Sequence, residues 1–150
     1  MWMTFGRRGV LTDGVIDLRP FQGYPPLKSM RFGEMHDYRI TLHGRHREIG
    51  QISVRLGEGT GIYYFGHIGY HIDPPWRGHH YAARACRLVH DLFVQAGKES
   101  AVITTDPDNE ASRRTCEAIG CIEERTVKVP VRLQKEWELS SEKVRYIWKI

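Results

Sequence analysis

The most informative stretch of this chain is Ile72-Asp73-Pro74-Pro75-Trp76-Arg77-Gly78-His79-His80-Tyr81-Ala82. It predicts a strand that passes through a tight basic turn into a helix. The first turn of a helix carries backbone N–H groups without partners inside the helix and forms the positive end of the helix dipole. A turn of this kind therefore favours a bound pyrophosphate group.

The elements on either side of this turn are indicated by hydrophobic spacing. Residues from Tyr63 to Asp73 alternate with period two, which predicts a strand. From about His79 to Ala96, apolar residues recur at every third or fourth position, which predicts an amphipathic helix that ends at Gly97.

A second helix is indicated further along the chain. Ala101 to Thr105 predicts a short buried strand, and after it Asn109 can cap the N-terminus of a helix that ends at Gly120. The rest of the chain is predicted to be mainly β: a first strand over Val15–Arg19, a hairpin of Tyr38–His43 with Glu48–Leu56, and two late strands, Glu123–Val131 and Lys143–Ile150, joined by a loop over Leu133–Glu142.

The sequence therefore predicts one α/β (α+β) domain over residues 1–150, with a mixed, mostly antiparallel sheet of about six or seven strands and two main helices. Between Arg19 and Tyr38, Pro25 and Pro26 oppose a helix, so this segment is expected to be irregular.

Composition limits the classes of partner and location. The net charge is +4 with a pI near 9.1, which favours anionic partners, but the 22 Lys and Arg residues are spread along the chain and predict no nucleic-acid binding. Three cysteines cannot all pair, and the sequence shows no secretory leader and no apolar run of membrane-spanning length. We expect a cytoplasmic protein with reduced thiols and no membrane partner.

The two motifs together resemble the GNAT superfamily of N-acetyltransferases. The pattern consists of Arg77-Gly78-x-x-x-Ala82 between a strand and a helix, then a strand, then Asn109-x-x-Ser112 opening a helix that ends at Gly120. Ribosomal-protein N-terminal acetyltransferases are similar in these features. The resemblance implies a GNAT-like fold and direct transfer of an acetyl group from acetyl-CoA, a co-substrate, to a primary amine of a small molecule or peptide.

The resemblance also implies which residues bind the coenzyme. His80 stands where the family pattern has its central glycine, and a positive φ there would be uncommon for histidine but not excluded. Ile72 would dock pantetheine through its backbone, with oxyanion stabilisation by a backbone N–H nearby. The full set of expected coenzyme-binding residues is Ile72, Arg77, Gly78, His79, His80, Tyr81, Ala82, Asn109 and Ser112.

Two side chains are candidates for catalysis. Relatives often place a base on the strand before the turn, where this chain has His67, and a histidine is suited to accept a proton near neutral pH. His71 is the reserve candidate, and a purely structural strand histidine is the alternative for His67. Cys116 stands where many relatives have a tyrosine that protonates the leaving thiolate; a small buried core residue is its alternative, with water as the proton donor.

His67, His71, His79 and His80 do not have the spacing of common zinc sites, so no metal is predicted. The segment Phe21 to Asp37 is too short for two full helices, which leaves either an open acceptor pocket or one closed by a second subunit in a homodimer. The alternative function is a catalytically silent GNAT-like acyl-CoA-binding sensor or interaction domain.

Overall fold

The computed structural model describes residues 9–23 and 32–150, so Pro25 and Pro26 of the predicted irregular segment lie outside the described ranges. Within these ranges the chain forms eight strands and four α-helices. In chain order they are β1 (Leu11–Thr12), β2 (Ile16–Phe21), β3 (Met35–Leu42), β4 (Glu48–Arg55), α1 (Thr60–Phe65), β5 (Ile68–Ile72), α2 (Tyr81–Gln95), β6 (Ser100–Thr105), α3 (Glu110–Ala118), β7 (Ile122–Lys128), α4 (Val131–Trp137) and β8 (Glu142–Lys149). None of these helices is both long and apolar enough to cross a bilayer.

The strands form two sheets. The first has five strands in the order β1-β2-β3-β4-β5, and the second has three in the order β6-β8-β7. Every hydrogen-bonded strand pair in the described residues is antiparallel. The predicted mostly antiparallel α/β architecture is therefore confirmed, with α2 and α3 as its longest helices.

The core lies between α2 and the five-stranded sheet. Ala85, Val89 and Phe93 recur at a spacing of four residues on α2, and each is 0% exposed. They pack in one cluster with strand residues such as Leu18 and Ile52. Burying a side chain of the size of Val, Leu, Ile or Phe stabilises the fold by about 1.5–3 kcal/mol. This packing holds the N-terminus of α2 at a fixed position beside the end of β5.

The two sheets meet at one point and then diverge. The His67 amide donates to the Val102 carbonyl at 2.7 Å, and the Val102 amide donates to Nδ1 of the His67 ring at 2.9 Å. Gly66 makes this approach possible, because a Cβ on it would lie 3.0 Å from the Val102 oxygen. No hydrogen-bonded ladder joins β5 to β6 in the described residues. The strands therefore form the sides of a wedge with its closed end at His67.

The predicted strand over residues 63–73 is wrong in its first part. Helix α1 runs to Phe65, and β5 begins only at Ile68. Gly66, with φ 85°, ends the helix, and the Phe65 ring packs against that of Trp137 with centroids 6.1 Å apart. This contact with a distant part of the chain is a tertiary effect that alternation along the sequence does not reveal.

The predicted loop over residues 133–142 is also wrong in part, because α4 covers Val131–Trp137. Pro130 occupies the N-cap, and Glu138, with φ 53°, ends the helix. Its one fully buried side chain is Leu133, at 2% exposure. A helix of two turns with a single buried position leaves almost no periodic signal.

Candidate active site

A cleft of about 570 Å³ opens beside the end of β5. The turn before α2, the first turn of α2 and one face of α3 form its walls. All of the residues expected to bind the coenzyme line this cleft except His79. The lining residues are Tyr70, His71, Ile72, Trp76, Arg77, Gly78, His80, Tyr81, Ala82, Ala83, Asn109, Ala111, Ser112, Arg114, Thr115 and Ala118.

The turn leaves backbone amides open to the cleft. Pro74–Trp76 forms a 3₁₀ turn, Gly78 has φ 91°, and no atom lies within 4 Å of the position where a Gly78 Cβ would be. His80 is the N-cap of α2 and makes no side-chain cap hydrogen bond. The first amides of α2 therefore have neither an intrahelical acceptor nor a capping side chain, which is the arrangement that binds phosphate oxygens.

His80 adopts the left-handed conformation, with φ 62° and ψ 23°. A backbone of this kind costs a non-glycine residue about 1–2 kcal/mol. The side chain that replaces the expected glycine thus leaves the backbone in a conformation that favours glycine.

Arg77 is tied to the strand that precedes it. Its Nε donates to the Ile72 carbonyl at 2.7 Å. This bond fixes the base of the guanidinium beside the end of β5 and engages the carbonyl of Ile72, which is itself 9% exposed. This hydrogen bond therefore links the Arg77 side chain to the main chain of β5 at Ile72.

The charge of the cleft comes from two arginines. Arg77 lies on the turn and Arg114 on α3, and no carboxylate residue is among the described residues that line the cleft. Arg114 is 3.8 Å from Glu110 in an exposed pair on the same helix, and such pairs are weak. Sequence reasoning missed Arg114, although Ala111, Arg114, Thr115 and Ala118 share the helical spacing of one face.

The start of α3 is built as the sequence predicts. Oδ1 of Asn109 accepts a hydrogen bond from the Ser112 amide at 3.1 Å, so Asn109 caps the helix. Oγ of Ser112 then lies 2.9 Å from the hydroxyl of Tyr70 on β5. The Asn109 cap therefore places Ser112 of α3 against Tyr70 of β5.

Tyr70 is a cleft residue that sequence reasoning did not assign to the site. Its hydroxyl also lies 3.8 Å from Sγ of Cys116. Burial raises the pKa of Tyr70 far above its usual value, so the hydroxyl remains protonated at physiological pH. The available signal was the strand alternation, which puts Tyr70 on the same face as Ile72.

Cys116 lies behind this hydroxyl in the core. It is 0% exposed and does not line the cleft. A hydrogen bond with Cys121 is the main influence that lowers the pKa of Cys116. Its burial favours the alternative of a small core residue, and the proton-donor role of Cys116 stays a prediction.

His67 is likewise occupied by structural contacts. It is 3% exposed and does not line the cleft. Nδ1 accepts from the Val102 amide, so Nε2 carries the proton and donates to Glu58 at 3.1 Å and to the Gly57 carbonyl at 3.2 Å. Burial lowers the pKa of His67. These contacts favour the structural alternative for His67, and its role as the base stays a prediction.

The other histidines lie in different places and make different contacts. His71 lines the cleft and lies 3.6 Å from Asp73, while the His79 ring packs against Tyr81 at 5.3 Å outside it. In the part of the chain that the structure describes, no three His, Cys, Asp or Glu residues are grouped so as to hold a metal ion.

A second cavity of about 220 Å³ lies between β5 and β6. Tyr70, Asn109 and Ser112 line both this cavity and the cleft. The two spaces are therefore neighbours that share one wall.

The acetyltransferase (GNAT) domain family matches residues 19–122 of this sequence. The chain belongs to the GNAT family of acetyltransferase enzymes. Comparison with curated protein sequences gave no significant match.

Solved structures of acetyltransferases share the fold of this GNAT enzyme. One is the acetyltransferase from Agrobacterium tumefaciens str. C58, with 17% identity, a TM-score of 0.69 and coverage of 100% of this chain and 98% of the other. The ribosomal-protein-S5-alanine acetyltransferase from Vibrio fischeri has 13% identity, a TM-score of 0.67 and coverage of 93% and 96%. Mycobacterium smegmatis RimJ in complex with CoA-disulfide has 18% identity, a TM-score of 0.61 and coverage of 88% and 68%. These likenesses establish the fold.

Proposed function

We propose that this GNAT enzyme transfers an acetyl group from acetyl-CoA directly to a primary amine within a ternary complex. The observation that carries the proposal is the cleft, which combines open helix-start amides with Arg77 and Arg114. Such a site matches an anionic diphosphate in geometry and in charge. RimJ of similar fold is known in complex with CoA-disulfide, which supports the assignment.

The coenzyme would lie along the cleft in the direction set by the turn. Its diphosphate would accept hydrogen bonds from the amides between Gly78 and Ala82, with the Arg77 guanidinium beside them. Pantetheine would follow the edge of β5 near Ile72, since in the first sheet β5 has a strand neighbour only on its β4 side. That edge supplies main-chain donors for the thioester oxygen when it becomes an oxyanion.

Acetyl transfer requires an acceptor nitrogen without a proton and a stabilised leaving group. The nitrogen attacks the thioester carbonyl, the C–S bond breaks, and the sulfur leaves as a thiolate. We assign the hydroxyl of Tyr70 as the hydrogen-bond donor to this thiolate, because it is protonated and lines both the cleft and the second cavity. The excess amine proton passes to water in the cleft, where His71 remains the reserve candidate for the base.

The coenzyme assignment is tested by charge reversal in the turn. Arg77→Glu combined with Gly78→Glu places two carboxylates where the diphosphate would bind, so acetyl-CoA binding should be abolished in calorimetry. The thermal transition should stay cooperative, because both positions are exposed, while the positive φ of Gly78 lowers the melting temperature of the variant. Arg132→Glu, on the exposed face of α4, is the matched control and should bind normally; unchanged affinity in the double variant contradicts the assignment.

The role of Tyr70 is tested with Tyr70→Phe, which removes only the hydroxyl. We expect kcat to fall by about 10²-fold while KM for acetyl-CoA stays within twofold, since the hydrogen bond would form mainly with the developing thiolate. Tyr146→Phe removes a buried hydroxyl outside the cleft and serves as the control. A Tyr70→Phe enzyme with unchanged kcat would remove the tyrosine from the mechanism.

The alternative is a domain that binds acyl-CoA as a sensor without turnover. It is favoured by one observation, the lack of any carboxylate base among the described residues of the cleft. Release of free thiol from acetyl-CoA, followed with peptides, polyamines, amino sugars and small amines, separates the two functions. Binding without thiol release from any acceptor would support the sensor.

A further inference from the structure

The C-terminal end of α3 holds two cysteines beside each other. Cys116 lies in the last turn of the helix, and Cys121 is the residue directly before β7. Cys116 is fully buried, Cys121 is half-buried, and both thiols are free. A role in the core accounts for Cys116, but it does not account for a second thiol placed next to it at the surface. The pair is therefore a candidate for chemistry of its own.

Main-chain hydrogen bonds hold the two cysteines together. The Cys121 amide donates to the Cys116 carbonyl at 2.9 Å, and the Gly120 amide donates to the Glu117 carbonyl at 3.1 Å. Gly120 between them has φ 91°. This combination is a Schellman motif, in which the side chains at the positions of Cys116 and Cys121 commonly contact each other. The end of the helix therefore sets the two side chains face to face without help from another element.

The two thiols also interact directly. The hydrogen bond between them is the largest influence on both, since it lowers the pKa of Cys116 and raises the pKa of Cys121. Cys121 is thus the donor of this bond and Cys116 the acceptor. The third cysteine, Cys86 on α2, is different: it is fully buried, and burial raises its pKa. A thiol in such surroundings is inert, so the pair at the end of α3 differs from the remaining cysteine.

We propose that Cys116 and Cys121 form a modification site, at which hydrogen peroxide produces a reversible disulfide. A disulfide requires two Cα atoms about 4.4–6.8 Å apart and side chains that point toward each other. The main-chain bond between the two residues brings their backbones together, and the bond between their thiols shows that the side chains meet. The half-buried side of Cys121 gives the oxidant access, while Cys116 is held behind it as the resolving thiol.

The oxidation proceeds in two balanced steps from the singly ionised pair. The shared proton moves along the bond from Cys121 to Cys116, which leaves the thiolate at the accessible sulfur. This thiolate attacks one oxygen of hydrogen peroxide, the O–O bond breaks, and hydroxide leaves as Cys121 becomes a sulfenic acid. The Cys116 thiol then attacks the Cys121 sulfur, the S–S bond forms, and water leaves. Both sulfurs are oxidised and both peroxide oxygens are reduced.

Tyr70 connects this site with the coenzyme cleft. Its hydroxyl lies 3.8 Å from Sγ of Cys116 and 2.9 Å from Oγ of Ser112. The Cys116 thiol can donate to the Tyr70 oxygen and leave the tyrosine proton for a ligand, whereas a disulfide sulfur has no hydrogen to donate. If Tyr70 donates to the leaving thiolate, oxidation should therefore lower kcat by about fivefold. This loss of rate rests on the proposed function, and the disulfide does not.

The experiment follows free thiols and peptide masses in the folded, full-length enzyme. After treatment with hydrogen peroxide and alkylation under denaturing conditions, wild type should keep one of its three thiols. Trypsin cleaves after Arg114 and Arg125, so Cys116 and Cys121 leave on one peptide and Cys86 on another. The first peptide should be lighter by two hydrogen atoms, the second should be fully alkylated, and dithiothreitol should restore all of the thiols.

Two variants separate the pair from the other cysteine. Cys121→Ser removes the accessible sulfur, so its two remaining buried thiols should be lost at least about tenfold more slowly than in wild type. Cys86→Ala is the matched control and should form the disulfide at the wild-type rate. In activity assays, peroxide should lower kcat of wild type by about fivefold with KM for acetyl-CoA within twofold, reversibly with dithiothreitol. The same treatment should leave kcat of Cys121→Ser unchanged.

The possible outcomes distinguish the disulfide from the proposed function. Retention of all three thiols, oxidation of Cys121 to a sulfinic acid without a bridge, or a bridge to the Cys86 peptide would each overturn the modification site. A disulfide that forms but leaves kcat unchanged would overturn its connection with Tyr70. A disulfide in a protein that transfers no acetyl group in either state would support the modification site and remove the enzyme function.

Discussion

At the scale of single residues, His80 shows how the turn keeps its shape despite an unusual sequence. Its φ of 62° lies where glycine is favoured, and the open amides of the turn lie beside the cleft. Binding by main-chain N–H groups depends on backbone geometry and not on the side chain that carries it. The histidine therefore costs stability without removing the binding groups.

This cost is measurable. His80→Gly should stabilise the protein by up to about 1 kcal/mol, because relief of the left-handed strain exceeds the extra freedom that glycine gives the unfolded chain. Urea unfolding checks the sign. His79→Gly, at a neighbouring position without a positive φ, should destabilise instead. Equal destabilisation by both changes would show that His80 is not strained.

Some residues of the site could be predicted from their neighbours in the sequence, and others could not. Arg77, Gly78 and Asn109 could be predicted because helix starts have sequence signals of their own. The contacts of Tyr70 and His67 could not be predicted, since they depend on Ser112 and Val102, which the fold brings to them from other elements. Strand alternation gives the face of a side chain and does not give its partner.

At the scale of elements, the same distinction separates the long helices from the short ones. Helices α2 and α3 have a cap or several buried positions in regular spacing, and both were predicted close to their observed bounds. Helices α1 and α4 are stabilised through an aromatic cluster in which Phe65 and Trp137 contact Phe32. Such a cluster joins distant segments, so no local pattern predicts it.

The junction of β5 and β6 makes the stability of the fold depend on pH through His67. In the folded state burial lowers the pKa of His67 below its ordinary value of 6.5, so the unfolded chain binds a proton that the folded chain resists. Above about pH 6.5 the His67 side chain is neutral in both states and does not affect stability. As the pH decreases below about 6.5, the unfolded chain takes up the proton first, so the stability of the fold should decrease.

Urea unfolding between pH 8 and pH 5.5 tests this dependence. Wild type should lose stability over this range, while His67→Gln, which can still accept from Val102 but does not titrate, should lose clearly less. His46→Gln changes an exposed histidine in the β3–β4 loop and should behave as wild type does. Parallel curves for wild type and His67→Gln would contradict a titrating role for His67.

At the scale of the whole molecule, the net charge of +4 is less informative than its distribution. Two arginines and no carboxylate line the cleft among the described residues, whereas β7 carries exposed side chains of both signs. Attraction between the cleft and a polyanion is screened by salt, with a Debye length of about 8 Å at physiological ionic strength.

Acetyl-CoA binding should therefore weaken as salt increases. Calorimetry between 50 and 500 mM NaCl should show the dissociation constant rising with salt, and Arg114→Glu should weaken binding by about tenfold at low salt and reduce the slope. Arg125→Glu, on the exposed strand β7, is the control for net charge. If the two variants give the same slope, the effect belongs to total charge and not to the cleft.

The closed end of the wedge at His67 has a consequence for the rate-limiting step of turnover. Two hydrogen bonds between His67 and Val102 join β5 and β6 at this end of the wedge. A junction that protein hydrogen bonds already hold does not have to close around each ligand. Turnover by this enzyme should then be limited by how quickly its two substrates bind and its products leave. Higher solvent viscosity should therefore lower kcat.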